Sequence, residues 1–355
     1  MKRIRGLALC VGLLAACGCS QGTAAPAGLH VQEGTLMRSG KPYRAMGVNY
    51  YTCFNTLIDH PENRDFVEGF RVLREEFDIP FIRFSGCSYG SNGWELYTED
   101  PEEYFRRFDL VVREAEKRHL GLIPSLFWYV CSVSDFCDEP LSELGNSDSK
   151  TRALYRKYAT EMATRYKDSP AIWGWEIGNE YMLWADLPEL NHLPPKKAGS
   201  KEERTAEDKI LRPMIIAVYQ DVYDAIRAVD PDRMIVTGDS MTREGAWHNY
   251  HKDAWGADSR VQWEEMFTMD TPDRFEVVSF HMYGLHDQCA LFDGKKLSLE
   301  EFVGVAIENA RKRGKPVWCG ELGMPGTDEQ SREMFVRMMK IVGVDRCSNH
   351  GGHRQ

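Results

Sequence analysis

The sequence predicts an α/β fold in which parallel strands alternate with amphipathic helices and roll into a barrel. Three observations carry this expectation. Apolar runs of strand length recur seven times without the strict alternation of a half-exposed strand, as expected of parallel strands covered on both faces. Segments of helical period lie between them. The chain also lacks the G-x-G-x-x-G, Walker and G-x-S-x-G glycine signatures that mark the doubly wound alternatives. Together these favour a single TIM (β/α)8-type barrel, with no internal linker or repeat.

The strands are expected at Tyr43–Tyr51, Phe81–Ser88, Leu120–Tyr129, Ile172–Glu180, Met234–Ser240, Val277–Gly284 and Pro316–Gly323. Leu29–Met37 with the Ser39-Gly40 turn reads as a small hairpin plugging the N-terminal end of the barrel. Phe66, Phe70, Leu73 and Phe77 share one helical face. Asp100-Pro101 caps the next helix, whose stripe is Phe105, Phe108, Val112 and Ala115. Asp148–Lys167 and Ala206–Val229 give two more helices, and Ser259–Met269 is a weaker one. Ser298-x-x-Glu301 and Thr327-x-x-Gln330 are capping boxes that start the last two.

A chain of 355 residues with 43% apolar and 28% charged side chains can bury a large core. Mean hydropathy of -0.46 argues against a multi-pass membrane protein. The net charge of -10, with no basic stripe, argues against a nucleic-acid partner, which would need clustered cations to displace counterions.

Residues 1–16 read as a signal peptide: Lys2, Arg3 and Arg5 precede a short apolar run. Leu14-Ala15-Ala16-Cys17 resembles a bacterial lipobox, which implies acylation of Cys17 and a cell-envelope location, in the periplasm or outer membrane; a plain secretory signal is the alternative. Residues 17–28 form a tether, 29–343 the barrel and 344–355 an irregular tail. Export permits disulfides, with Cys131–Cys137 and Cys53–Cys87 as candidate pairs. No metal-ligand spacing stands out, and no metal or cofactor is expected.

Two segments carry the chemistry. Trp173-Gly174-Trp175-Glu176-Ile177-Gly178-Asn179-Glu180 ends the fourth strand, and Val317-Trp318-Cys319-Gly320-Glu321-Leu322-Gly323 ends the seventh. Strand C-termini of such a barrel face its active site, so Glu180 and Glu321 would project into one cleft. Two carboxylates ~5–5.5 Å apart are the apparatus of a retaining glycosidase. Nine Trp and fifteen Tyr suit sugar stacking. Trp128, Trp184 and Trp247 are the candidate stacking positions, whereas Trp173 and Trp318 suit the core.

With these residues the sequence resembles the clan A glycoside hydrolases, and within them glycoside hydrolase family 5, the cellulase and endo-β-mannanase group. The likeness rests on Asn179-Glu180, Glu321, His281-x-Tyr283, Arg83 in Ile82-Arg83-Phe84, and Gly47-Val48-Asn49-Tyr50-Tyr51. It implies a hydrolase of O-glycosyl bonds (EC 3.2.1.-) of endo-β-mannanase or cellulase type, cutting a β-linked mannan or glucan; a monomer is expected. Glu180 would be the acid/base and Glu321 the nucleophile. Asn179 would bond the sugar 2-OH, Arg83 would keep Glu321 charged, Tyr283 would bond it, and His281, Asn49 and Tyr51 would line the substrate site.

The sequence departs from that pattern twice. The third strand, Ser125-Leu126-Phe127-Trp128, lacks the histidine many cellulase-type members place there, which leans toward mannanase-like or exo-acting relatives. After the seventh helix, Val344–Gln355 contains no apolar run for an eighth strand and helix. A sheet left open between its seventh and first strands is therefore expected. A catalytically inactive carbohydrate-binding barrel is the alternative function.

Overall fold

The computed structural model of the protein describes residues 28–88, 90–190, 193, 195–196, 202–283, 289–292, 295–324 and 326–342. The leader, Cys10, Cys17, Cys19, Cys347 and the tail lie outside the described residues.

Strands β1 (Leu29–Gln32), β2 (Thr35–Arg38) and β3 (Lys41–Pro42) form an antiparallel sheet, and β4 (Val48–Asn49) begins the barrel. Helices α1 (Cys53–Asp59) and α2 (Asp65–Arg71) lead to β5 (Phe81–Ser85). Then come α3 (Ser91–Glu99), α4 (Pro101–Arg118), β6 (Gly121–Phe127), α5 (Ser132–Cys137) and α6 (Lys150–Tyr166). Next are β7 (Gly174–Gly178), α7 (Arg212–Arg227), β8 (Met234–Val236), α8 (Ala246–Lys252), α9 (Arg260–Asp270) and β9 (Val278–Tyr283). The hairpin β10 (Cys289–Phe292) and β11 (Lys295–Leu297), α10 (Leu299–Lys312), β12 (Val317–Gly323) and α11 (Glu329–Ile341) complete the described chain.

All seven expected strand positions carry a parallel strand. The order is β4-β5-β6-β7-β8 in one sheet and β9-β12 in another. The expected ranges were longer because the apolar runs continue into loops at the strand ends: Tyr43–Tyr51 contributes only Val48–Asn49 to the ladder. The N-terminal hairpin gains a third strand. Its Leu29 packs with Phe81, Ile123, Trp173, Met234, Val236, Val277 and Trp318, which closes the base of the barrel with apolar side chains. Trp173 and Trp318 are therefore core residues, as expected.

Several local expectations are corrected. The helix through Phe66 and Phe70 passes at Val72 into a π turn, whose extra residue breaks the 3.6-residue register and leaves Phe77 67% exposed. The segment 206–229 splits into a short 3-10 turn and α7, which begins beside Pro213. The cap of α11 is Asp328, whose side chain accepts from the Ser331 amide, not Thr327. By contrast, the capping box at Ser298/Glu301 forms, and the weaker helix candidate from Ser259 is realised as α9 with a Ser259/Gln262 box of its own.

The expected disulfides are absent. Cys131, Cys137, Cys53 and Cys87 are all free thiols. Cys131 caps α5 and Cys137 ends it, so at 1.5 Å of rise per residue their Cα atoms stand roughly 9 Å apart, beyond disulfide reach. Cys53 and Cys87 are both buried in the main apolar core; the Cys87 sulfur accepts from the Trp128 amide at 3.3 Å and faces Ser88 O at 3.4 Å.

Among the described residues there are seven parallel strands, one short of a closed eight-stranded barrel. Between β12 and β4 lies a cleft of about 910 Å³, lined in part by Tyr43, Val48, Phe81, Trp318, Phe335 and Met339. The side chain of Asn49 spans it, donating to Gly320 O at 3.3 Å. Among the described residues the sheet is thus open where the sequence predicts. No described helix is long and apolar enough to cross a membrane.

Candidate active site

The site is built at the C-terminal ends of β4, β5, β6, β7, β9 and β12, and Arg83 on β5 is its hub. It is buried with 2% of its side chain exposed. Its Nε lies 2.8 Å from both carboxylate oxygens of Glu176, and Nη2 lies 2.6 Å from Glu176 Oε1. Nη1 donates to Glu321 Oε1 at 2.7 Å and to Asn49 Oδ1 at 3.4 Å, while Nη2 donates to Asn179 Oδ1 at 2.7 Å. The guanidinium carbon also stands 4.7 Å from the Trp128 ring centre, a cation–π distance. The planar fork of arginine suits this multiple engagement; a lysine ammonium could not reproduce it.

Glu176 was not anticipated as a site residue. It sits in the middle of β7, fully buried, and shares Arg83 with Glu321. Its signal was present in the sequence: a carboxylate inside an apolar parallel strand requires a buried cation, and Arg83 lies inside another such strand.

Glu321 is on β12 at a register shift between Cys319 and Glu321, which sets it level with His281 on β9. Gly320 at this shift lets the backbone approach His281: a Cβ there would fall 2.5 Å from its Nε2. The Tyr283 hydroxyl donates to Glu321 Oε2. Burial, then the bond to Glu321, raises the Tyr283 pKa, so the phenol stays a donor.

Glu180 follows β7 in the left-handed region, φ 57° and ψ 35°, a conformation that costs a non-glycine residue about 1 kcal/mol or more. Burial raises its pKa, and Arg83 opposes that only in part. His281 Nδ1 lies 3.3 Å from Glu180 Oε1 and 3.5 Å from Glu321 Oε1. Burial, aided by the charge of Arg83, lowers the His281 pKa to about 4, so the ring is neutral at pH 7. Nδ1 is thus the ring nitrogen that faces both carboxyl groups.

One oxygen of Glu180, one of Glu321 and the His281 nitrogen all lie within 4.8 Å of one another. These three atoms could also ligate a cation, but a divalent ion there would sit beside the guanidinium that already neutralises Glu321 at 2.7 Å, and like charge opposes it.

The expected aromatic positions divide. Tyr51, 51% exposed, stacks on Trp128 with ring centres 6.3 Å apart, forming a platform beside Arg83. Trp184 is half-buried and packs against the main core. Trp247 on α8 lies against His251 and donates to Glu265 on α9; none of these contacts joins it to the carboxyl pair. Trp263 is core, and Trp255 is exposed and donates to Glu189.

Residues 92–349, well over half of the chain, match the cellulase family, glycosyl hydrolase family 5. The chain belongs to that family. It is 33% identical over 261 residues to a protein named probable mannan endo-1,4-beta-mannosidase C of Aspergillus terreus (strain NIH 2624 / FGSC A1156), an alignment covering 64% of this chain. The chain spans 60% of the length of that relative. The fold is similar to that of the endo-1,4-beta-mannanase from Rhizomucor miehei, with TM-score 0.59 and 11% identity, covering 90% of this chain and 100% of the other. It is also similar to the catalytic domain of an endoglucanase from Thermobifida fusca in complex with cellotetraose, with TM-score 0.52, 15% identity and coverages of 88% and 81%. The architecture is thus that of the family 5 TIM barrels, with seven parallel barrel strands among the described residues.

Proposed function

We propose that this chain is a retaining β-glycoside hydrolase acting on a β-linked mannan or glucan, with Glu321 as nucleophile and Glu180 as acid/base. The observation that carries the reading is the pairing of two strand-end carboxyl groups, with oxygens within 4.8 Å, in opposite electrostatic settings. Nearest oxygens this close suit direct attack on the sugar, as in a retaining enzyme, whose carboxyl groups stand ~5–5.5 Å apart. Arg83 and Tyr283 compensate charge on Glu321, whereas burial favours a proton on Glu180.

In the first step a Glu321 oxygen bonds to the anomeric carbon while the glycosidic C–O bond breaks. The leaving oxygen takes the Glu180 proton. In the second, Glu180, now a carboxylate, takes a proton from water as the water oxygen attacks the same carbon and releases Glu321. Asn179, held by Arg83, would bond the sugar 2-OH, and the stacked Tyr51–Trp128 pair would offer a stacking face. Mannan is the favoured substrate because the relative from Aspergillus terreus bears that name. Export through residues 1–16 and acylation of Cys17 belong to the same reading, as does a monomeric state.

The test uses a 2,4-dinitrophenyl β-mannobioside or β-cellobioside with azide. E321G is expected to yield the α-glycosyl azide, and E180A the β-glycosyl azide. The assignment fails if neither variant forms an adduct or if both give the same anomer. The open seam between β12 and β4, next to Glu321, favours the second reading of an inactive carbohydrate-binding barrel. That reading requires calorimetric binding of manno-oligosaccharides without turnover.

A further inference from the structure

Glu180 is presented by a short 3-10 turn, Tyr181–Trp184; the Tyr181 hydroxyl donates to Phe127 O at 2.7 Å, and the backbone of the turn is held by the segment after β8. The Glu180 amide donates to Gly238 O at 2.9 Å. Asp239, 1% exposed, accepts from the Met182 amide at 3.0 Å and from the Tyr219 hydroxyl at 2.8 Å. Arg243 grips the other end: Nη1 donates to Met182 O at 2.9 Å and Leu183 O at 3.3 Å, and Nη2 donates to Ala185 O. Its Nε donates to Asn249 Oδ1 at 3.0 Å.

Arg243 is a mostly desolvated guanidinium that forms no ion pair among the described residues, and three of its bonds go to carbonyls of one turn. Taking a guanidinium out of water is costly, as the lowering of its pKa to about 10 by burial reflects. Such a group persists where its geometry is needed. Glu180 itself adopts a left-handed conformation that a free turn would relax.

The structure assigns Asp239 and Arg243 as positioning residues for Glu180, acting through the turn that carries it and touching no substrate. The inference rests on the acid/base role proposed for Glu180. Acceleration then depends on delivery of a proton to the leaving oxygen, and it is this step that a loosened turn impairs.

The experiment compares wild type, R243M, R243K, D239A and D239N on 4-methylumbelliferyl and 2,4-dinitrophenyl β-mannobiosides. The dinitrophenolate leaves without protonation. R243M and D239A are expected to lose about 10–100-fold in kcat/KM on the methylumbelliferyl substrate, a fraction of what general acid catalysis contributes, and less than about threefold on the dinitrophenyl one. D239N keeps an oxygen for the Met182 amide and is expected to restore most of the loss; R243K, with no fork, is not.

A second measurement needs no turnover: carboxyl infrared difference titration of Glu180, referenced to E180Q. The groups facing Glu180 are Arg83, His281, Tyr283 and Glu321, and none is altered by these variants. The Glu180 pKa is expected to fall toward the ordinary carboxylate range in R243M as water enters the turn, moving the basic limb of the pH profile to lower pH. Equal losses on both leaving groups, or an unmoved Glu180 titration, would overturn the positioning role. Failure of wild type on every β-glycoside would instead strike the proposed function, with the titration still deciding the turn.

Discussion

Arg83 shows how much one buried side chain carries. It pairs with Glu176 and Glu321 at once and orients Asn49 and Asn179, so its removal strands a fully buried carboxylate. R83M is expected to cost about 3–5 kcal/mol in urea unfolding, because the remaining charge loses its partner, and to abolish hydrolysis. Adding E176Q should recover part of the stability and none of the activity. If R83M unfolds at the wild-type urea concentration, the shared ion pair is not what holds these strand ends.

At the scale of an element, the end of β8 shows how a strand terminus supports a carboxyl group carried by its neighbour. Gly238 has φ of 81°, and a Cβ there would meet Gly178 O and lie 2.7 Å from Glu176 Cγ. The backbone must pass this close for Gly238 O to receive the Glu180 amide and for Asp239 to reach Met182. G238A is therefore expected to destabilise by more than about 2 kcal/mol, combining backbone strain with overpacking against backbone. Activity should fall further than stability alone explains, measured as residual kcat at a temperature where the variant remains folded. A variant as stable and active as wild type would show that β7 and β8 are not so closely set.

Across the whole molecule, the main apolar core fills the space around β5, β6 and β7 and their helices, while a second cluster joins β9 and β12 to α9, α10 and α11. The two halves meet without a continuous ladder, although Met241 N donates to His281 O at 3.0 Å where β8 gives way to β9. On the far side the β12–β4 cleft leaves α11 packed on one face only. Met338 is fully buried there, whereas Phe335 lines the cleft. M338A is expected to cost about 2–5 kcal/mol, and F335S less than about 1 kcal/mol, in thermal unfolding. The native protein should also brighten anilinonaphthalene sulfonate, and F335S should weaken that signal. Equal costs for the two substitutions would mean that the cleft is packed rather than open.

Strand number, strand order and the pair Glu180 and Glu321 were legible in the sequence, because a buried parallel strand must be apolar throughout and a carboxylate at its end stands out against that background. The capping box at Ser298 was legible for the same local reason: the bonds it makes span three residues. What the tertiary structure alone decided are relations between distant positions. Arg83 serves Glu176 as well as Glu321; Trp247 belongs to α8 and its packing on α9; the cysteines stay apart; and Asp239 and Arg243 reach back to the turn of Glu180. Periodicity records which face of an element is buried and says nothing of which distant side chain meets it there. Register, strand stagger and loop path set those meetings, and they exist only once the chain has folded.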